Sequence, residues 1–519
     1  MKKLLLSLAL GAVAVTALAN GDAPVAQTRA GQVRGALVDG INVFKGVRYG
    51  ATTEGRRFMP PQPAQPWQGV AEARDYGNQS PQSRPSSISL FKTWSNPRPA
   101  SEDLLFLNVW TPAVHDGKKR PVMVWFHGGG FSTGSGSSHA YDGTRLAKKG
   151  DVVVVTVNHR LNAFGYLYLA GLSQDSALAD SGNVGNLDMV LSLQWVRDNI
   201  AEFGGDPGNV LIFGESGGGA KVSTLLAMPA ARGLFHKAVV QSGSMIKAQT
   251  PERATQGTKA FLQLLGIAPE KLADLRTMPM QKIADALNNL PPEGAVNFGP
   301  VMDGRSLPRH PFDPDAPAIS AQVPLMVGTI KDETTLLIGA RDPSAFAITW
   351  EELPKRLQPF AGTTDPAVFI DGLRKLQPQA KASDVFFTVT TARNFRNGAI
   401  RQAELKSQQG AAPAFLYELD WETPVEGGKW KAPHALEIGM VFDNVAKSGS
   451  MSGTGPEAQK VADQMSAAWL AFAKTGNPGW PAYDTKRRAT MVFNVSSKVI
   501  DDHNREQRLL LSKLPARTP

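Results

Sequence analysis

The 519-residue chain is 42% hydrophobic and 19% charged, ordinary for a folded protein and long enough to bury a large core. It contains no cysteine, which excludes disulfides, thiol nucleophiles and cysteine-ligated zinc. Its formal charge of +9 is spread along the chain without long runs of one sign, which argues against nucleic-acid binding and mildly disfavours cationic substrates.

The N-terminus has the three parts of a secretory signal: Met1-Lys2-Lys3, an apolar run from Leu4 to Leu18, and the small-residue site Ala17-Leu18-Ala19. A membrane anchor needs roughly 18 or more apolar residues, and no cysteine is present to carry lipid. The sequence therefore predicts removal of residues 1–19. A single domain over 20–519 would then be periplasmic or secreted, without stable membrane anchoring.

In chain order, short strands and turns are expected from Val33 to Phe58, and a Pro-, Ser- and Gln-rich loop over 60–101. Strands follow at Leu104–Trp110, Pro121–Phe126 and Val152–Val157, the last a continuous β-branched run of the kind covered on both faces. Leu187, Leu191 and Trp195, then Ile200 and Phe203, predict a helix over 186–203, ended by Gly204-Gly205-Asp206-Pro207. Next come a strand from Val210 to Phe213, a helix over 219–227 and a strand at Lys237–Gln241. Helical insertions over about 251–320 and about 340–410 flank a strand at Val323–Gly328, followed by a strand at Ala414–Leu419 and a helix at Pro456–Lys474. This alternation predicts an α/β protein with a mostly parallel central sheet and helices on both faces.

Between the strand ending at Phe213 and the next helix lies Gly214-Glu215-Ser216-Gly217-Gly218-Gly219. A phosphate loop would need Lys and Ser/Thr directly after the second glycine, but Ala220 stands there and Val222 follows Lys221. The alternative, G-x-S-x-G between strand and helix, is a nucleophile elbow. Gly214 and Gly218 let strand and helix approach while Ser216 is thrust out. Acyl transfer also requires oxyanion donors, a base and an acid to orient it. His127-Gly128-Gly129-Gly130-Phe131 follows a strand upstream of the serine, where Gly129 and Gly130 can present backbone N–H groups; Gly217 offers a third. Four histidines lie after Ser216. His236 is too close, His310 falls in a Pro-rich surface loop and His503 in a polar tail, leaving His434. For the acid, Asp332 and Glu333 both follow the strand at 323–328, and position does not choose between them.

These residues resemble the type-B carboxylesterase and cholinesterase-like family of the α/β-hydrolase fold. The resemblance runs through FKGVRYG (44–50), SEDLLFLNVWTP (101–112), VWFHGGGF (124–131), NHRLNAFGYL (158–167), QWVRDNIAEFGGDPGNVLIFGESGGG (194–219), VMDG (301–304), VGTIKDE (327–333) and WLAFAKTGNP (469–478). It implies Ser216 as nucleophile, Glu333 rather than Asp332 as triad acid, His434 as base, and Gly129, Gly130 and Gly217 as oxyanion donors. Glu215 resembles the family's supporting buried glutamate. The implied reaction is hydrolysis of a small-molecule carboxylic ester through an acyl-enzyme, with no metal or organic cofactor. An amidase, lactonase or thioesterase would use the same residues. A non-catalytic binding relative would be expected to lack part of the triad. Monomer and dimer both remain open.

Three departures from the family pattern stand out. Ser80 and Leu104 occupy places where the family commonly has a disulfide, predicting an unstapled, mobile lid over about 81–100. Gly217 replaces the usual alanine. Trp94 stands at the offset of the choline-contacting tryptophan of cholinesterases; with Phe131 it is a candidate substrate contact, or else a tryptophan that packs the lid.

Overall fold

A computed structural model describes residues 23–83, 88–290 and 295–516. The proposed signal at 1–19 and part of the loop at 81–100 lie outside them. In chain order the main sheet consists of β1 (Ala36–Val38), β2 (Ile41–Arg48), β3 (Phe106–Thr111), β4 (Arg120–Phe126), β5 (Val153–Val157), β6 (Gly205–Glu215), β7 (Lys237–Gln241), β8 (Leu325–Ile330), β9 (Ala414–Leu419), β10 (Ala489–Phe493) and β11 (Lys498–Asp501). Across this 11-stranded sheet the order is β11-β10-β9-β8-β7-β6-β4-β5-β3-β2-β1. Pairing is parallel from β5 through β4, β6, β7, β8 and β9 to β10, and antiparallel at both flanks. The expected mostly parallel sheet is present. This is the α/β-hydrolase arrangement.

The parallel strands form because their side chains are apolar on both faces. Every residue of β5 is buried, as are Val210 to Glu215 of β6. Each such aliphatic side chain contributes about 1.5–3 kcal/mol. The predicted helix before β6 is α1 (Val184–Asn199), tightened into a 3-10 turn at Ile200–Phe203 before Gly204 reverses the chain with φ 73°. Helix α2 (Gly217–Leu225) starts two residues before the expected position, because the strained turn is confined to Ser216 alone. Helices α3 (Ala382–Thr391) and α4 (Asn397–Gln409) are joined by a π-helical turn at Ala392–Arg396. Helix α5 (Pro456–Thr475) packs Trp469 and Phe472 into the core. No helix among the described residues is long and apolar enough to cross a membrane.

The segment expected as loop at 60–101 departs from that expectation in a short strand at Val70–Glu72, paired with Gln32–Arg34, and in a 3-10 turn at Ser89–Phe91. Where the family has cysteines, Ser80 is buried and its Oγ accepts from the Leu161 N–H (3.2 Å), while Leu104 sits in the core. The described parts of the loop are tied down by hydrogen bonds. Gln82 exchanges two with Gly134 (3.0 and 2.8 Å), Asn96 donates to Ser137 O (2.8 Å), and Ser450 donates to Leu90 O (2.6 Å).

Candidate active site

The turn from β6 into α2 holds Ser216 at φ 57° and ψ −122°, a conformation that costs a non-glycine residue about 1–3 kcal/mol. Two features sustain it. The Ser216 N–H donates to Gln241 O on the neighbouring strand (2.8 Å), and Gly218 leaves room for β4: a Cβ there would lie 2.0 Å from Phe126 O. Ser216 is thus placed at the C-terminal edge of the sheet, where open α/β folds collect their ligands.

Two further loops converge on this edge. After β8, Glu333 opens a short helix and turns its carboxylate inward; Oε1 accepts from the Ile330 N–H (2.9 Å). The loop after β9 brings in His434, whose Nδ1 lies 2.5 Å from Glu333 Oε2. Asp332, the other sequence candidate, instead contacts the Ala432 N–H through its carboxylate (3.4 Å). The structure therefore places Glu333 on His434, and Asp332 away from it. Both members of the His434–Glu333 pair are buried.

The other imidazole nitrogen, Nε2, faces Glu215 Oε1 at 3.2 Å, a contact the sequence did not reveal. Burial opposes charge on His434, but Glu215 and then Glu333 outweigh it and push the imidazole up to about 9. Burial likewise pushes Glu215 up to about 7, with His434 pulling against it. A third buried acid, Glu437, accepts from Tyr417 Oη (2.9 Å), and burial followed by Glu215 and Glu333 pushes it up to about 8. The hydrogen bond from Tyr417 pulls Glu437 the other way, but burial and the two neighbouring acids prevail and favour its protonated form, so the three carboxylates do not carry three charges around one imidazole. The i+3 spacing of Glu437 from His434 in HALE was the available signal. Phe395, on the π-helical turn, packs against the His434 ring (centroids 5.1 Å apart); a π-turn cannot be read from apolar periodicity.

The upstream glycine loop abuts the elbow. Gly129 and Gly130 adopt φ 86° and 65°, and Gly217 meets Gly130 backbone to backbone. Phe131 is buried edge-on against Tyr166 (5.0 Å). Trp94 is 5% exposed and packs edge-on against Phe91 (5.2 Å), with its carbonyl held by Ser138 Oγ (3.0 Å). Of the other histidines, His236 Nδ1 accepts from the Val210 N–H (3.1 Å) and His310 Nδ1 from the Ala248 N–H (3.3 Å). His503 does not lie in a polar tail, contrary to the sequence expectation. Because β11 folds back antiparallel on β10, it brings His503 to a nearly buried position 3.2 Å from Glu418, which also pairs with Arg396.

Residues 22–511 match the model of the carboxylesterase family, and the chain belongs to that family. It is 36% identical over 497 residues to a para-nitrobenzyl esterase of Bacillus subtilis, covering 93% of this chain and 97% of that protein. It is 32% identical to a phenmedipham hydrolase of Pseudarthrobacter oxydans, covering 90% and 94%. The crystal structure of a Geobacillus stearothermophilus carboxylesterase superposes with a TM-score of 0.82 at 40% identity, covering 94% of this chain and 99% of that one. The chain is a carboxylic ester hydrolase acting on small-molecule esters.

Proposed function

We propose that ester cleavage runs through an acyl-enzyme on Ser216, with His434 as general base and Glu333 as the acid that orients it. The observation that supports this reading is the pairing of His434 Nδ1 with Glu333, with Nε2 3.2 Å from Glu215, the residue directly before Ser216. Glu333 accepts from Nδ1, which leaves Nε2, beside Glu215, as the proton carrier. Ser216 Oγ attacks the ester carbonyl as its proton passes to His434. The oxyanion is received by the N–H groups of Gly129, Gly130 and Gly217, each worth about 3 kcal/mol in the transition state. The imidazolium then protonates the departing alcohol. Water, deprotonated by the same base, releases the acid and restores the serine.

Glu215 tests the base assignment. Its carboxylate favours the imidazolium, so removing that charge lowers the pKa of His434. The neutral, active base then persists to lower pH. Glu215→Gln should move the acid limb of the kcat/KM profile down by about one unit or more, each unit being worth 1.36 kcal/mol. It should also lower the plateau roughly tenfold, because the imidazolium formed in the transition state loses the same support. A limb that stays in place, or moves up, contradicts the assignment.

We also propose that the protein is exported and cleaved after Ala19. The support is the charged, apolar and small-residue order of residues 1–19. Intact mass of the protein from its native host should give a chain beginning at Asn20. A chain retaining Met1-Lys2-Lys3 contradicts export by this route.

A further inference from the structure

Helix α2 carries more than the nucleophile turn. Gly217, Gly218 and Lys221 lie on one face of it, at one-turn spacing, and all three meet the segment from Phe126 to Gly130. A Cβ on Gly217 would lie 2.1 Å from Gly130 O. Lys221 is fully buried, and its Nζ donates to the carbonyl of His127 at 2.8 Å. Among the described residues it has no carboxylate partner. A buried amine without a counter-ion is costly, burial holds Lys221 well below the usual lysine range, and a methionine of similar length would fill the same space. Packing alone does not account for a lysine here.

The geometry around it points to peptide orientation. In a trans peptide the carbonyl of one residue and the N–H of the next point in opposite directions, so holding one aims the other. His127 Nδ1 donates to Gly128 O (2.9 Å), which aims the Gly129 N–H. The Ser132 and Thr133 N–H groups donate to Gly129 O (3.2 and 3.0 Å), which aims the Gly130 N–H. The first peptide of the series, His127–Gly128, is held by Lys221 alone among side chains. The His127 ring that performs the second step stacks on His159 (4.8 Å, 9°), and His159 Nδ1 donates to Arg160 O (3.0 Å). Both rings carry a buried Nε2 without a partner, as expected of neutral imidazoles; burial and then the nearby lysine hold both well below their usual range.

We propose that Lys221 is a positioning residue for the oxyanion hole: by holding the His127 carbonyl against α2 it fixes the first peptide of the loop and the residue whose ring holds the second, and so steadies the series of peptides that aims the Gly129 and Gly130 N–H groups. The proposal rests on the acyl-enzyme reading above. Lys221 links the helix that bears Ser216 to the loop that bears the donors, fixing the distance and angle between attack and stabilisation. The donors act only on the developing oxyanion, so disturbing them is felt in the transition state and not in substrate binding.

The test compares Lys221→Met and Lys221→Gln with wild type for kcat, KM, binding of a trifluoromethyl ketone and thermal unfolding. Lys406→Met, at a second buried lysine remote from the elbow, serves as control. Lys221→Met should lower kcat by ~10–100-fold, part of the 10²–10³ that a lost oxyanion donor costs, with KM within about twofold. Ketone affinity should fall by the same factor as kcat/KM. Lys221→Gln, which keeps a neutral donor, should fall between Met and wild type. Lys406→Met should lose stability without losing kcat. The proposal is overturned if both Lys221 variants keep kcat and ketone affinity within about twofold of wild type. It is also overturned if the loss appears in KM alone, or if Lys406→Met loses kcat to the same extent. Failure of the underlying reading is distinguishable, because wild type would then not form a ketone adduct on Ser216.

Discussion

Ser216→Ala is expected to lower kcat by about 10⁴-fold or more while leaving the fold intact. The hydroxyl is the atom that forms the acyl bond in the proposed mechanism, and no other nucleophile replaces it. What remains should be the residual acceleration from the oxyanion hole and binding, about 10³–10⁴ over water in enzymes stripped of a triad member. The fold should survive because the strained turn is held by the Ser216 N–H bond to Gln241 O and by the close approach of Gly218 to β4, neither of which uses the hydroxyl. Steady-state kinetics with a chromogenic ester, alongside thermal unfolding, checks both halves. A variant that retains activity within tenfold contradicts the assignment.

Gly129→Ala should have the next largest effect. Its φ of 86° belongs to a region that residues with a Cβ rarely adopt, and a Cβ there would lie 2.4 Å from Thr133 O and 2.7 Å from Thr133 Oγ1. The peptide must rotate, and Gly129 O then loses its hold on the Ser132 and Thr133 N–H groups. The N–H groups of Gly129 and Gly130 turn away from the oxyanion. Losing one such donor costs about 10²–10³ in kcat, and here two are disturbed together. The expected result is a kcat at least ~10²-fold lower with KM little changed. A change confined to KM would place the glycine loop in substrate binding instead.

Much of this site was legible in the sequence because its parts are local. G-x-S-x-G needs small residues at fixed offsets, and HGGG needs residues that tolerate positive φ; both requirements leave a mark on the string. The pairing of His434 with Glu333 is not local. Sequence position left Asp332 and Glu333 equivalent, and the family resemblance chose Glu333. The structure gives the physical reason: the turn after β8 points Glu333 toward His434 and Asp332 toward Ala432. The parallel strands β4 to β9 were visible as short runs rich in apolar residues, continuous and β-branched in β5. Strands β10 and β11 were not: β10 (ATMVF), parallel to β9, is a short apolar run without a helix between it and β11 to mark it, while β11 mixes polar and apolar residues and its antiparallel place on β10 depends on pairing. His503 was misplaced for the same reason. Glu215, Glu437, Phe395 and Lys221 act through contacts between distant segments. Glu215 is marked only by the family resemblance and Glu437 by its i+3 spacing from His434, while a lysine in a helix of otherwise small and uncharged residues is the sequence's trace of Lys221.

The central claim is that Ser216 becomes covalently acylated. The most direct measurement is reaction of the intact protein with a fluorophosphonate, followed by peptide mapping. One adduct per chain on the peptide spanning Gly214–Gly219, with loss of hydrolysis in step and no adduct in Ser216→Ala, is the predicted result. An adduct on another residue, or full activity after Ser216 has been modified, would contradict it.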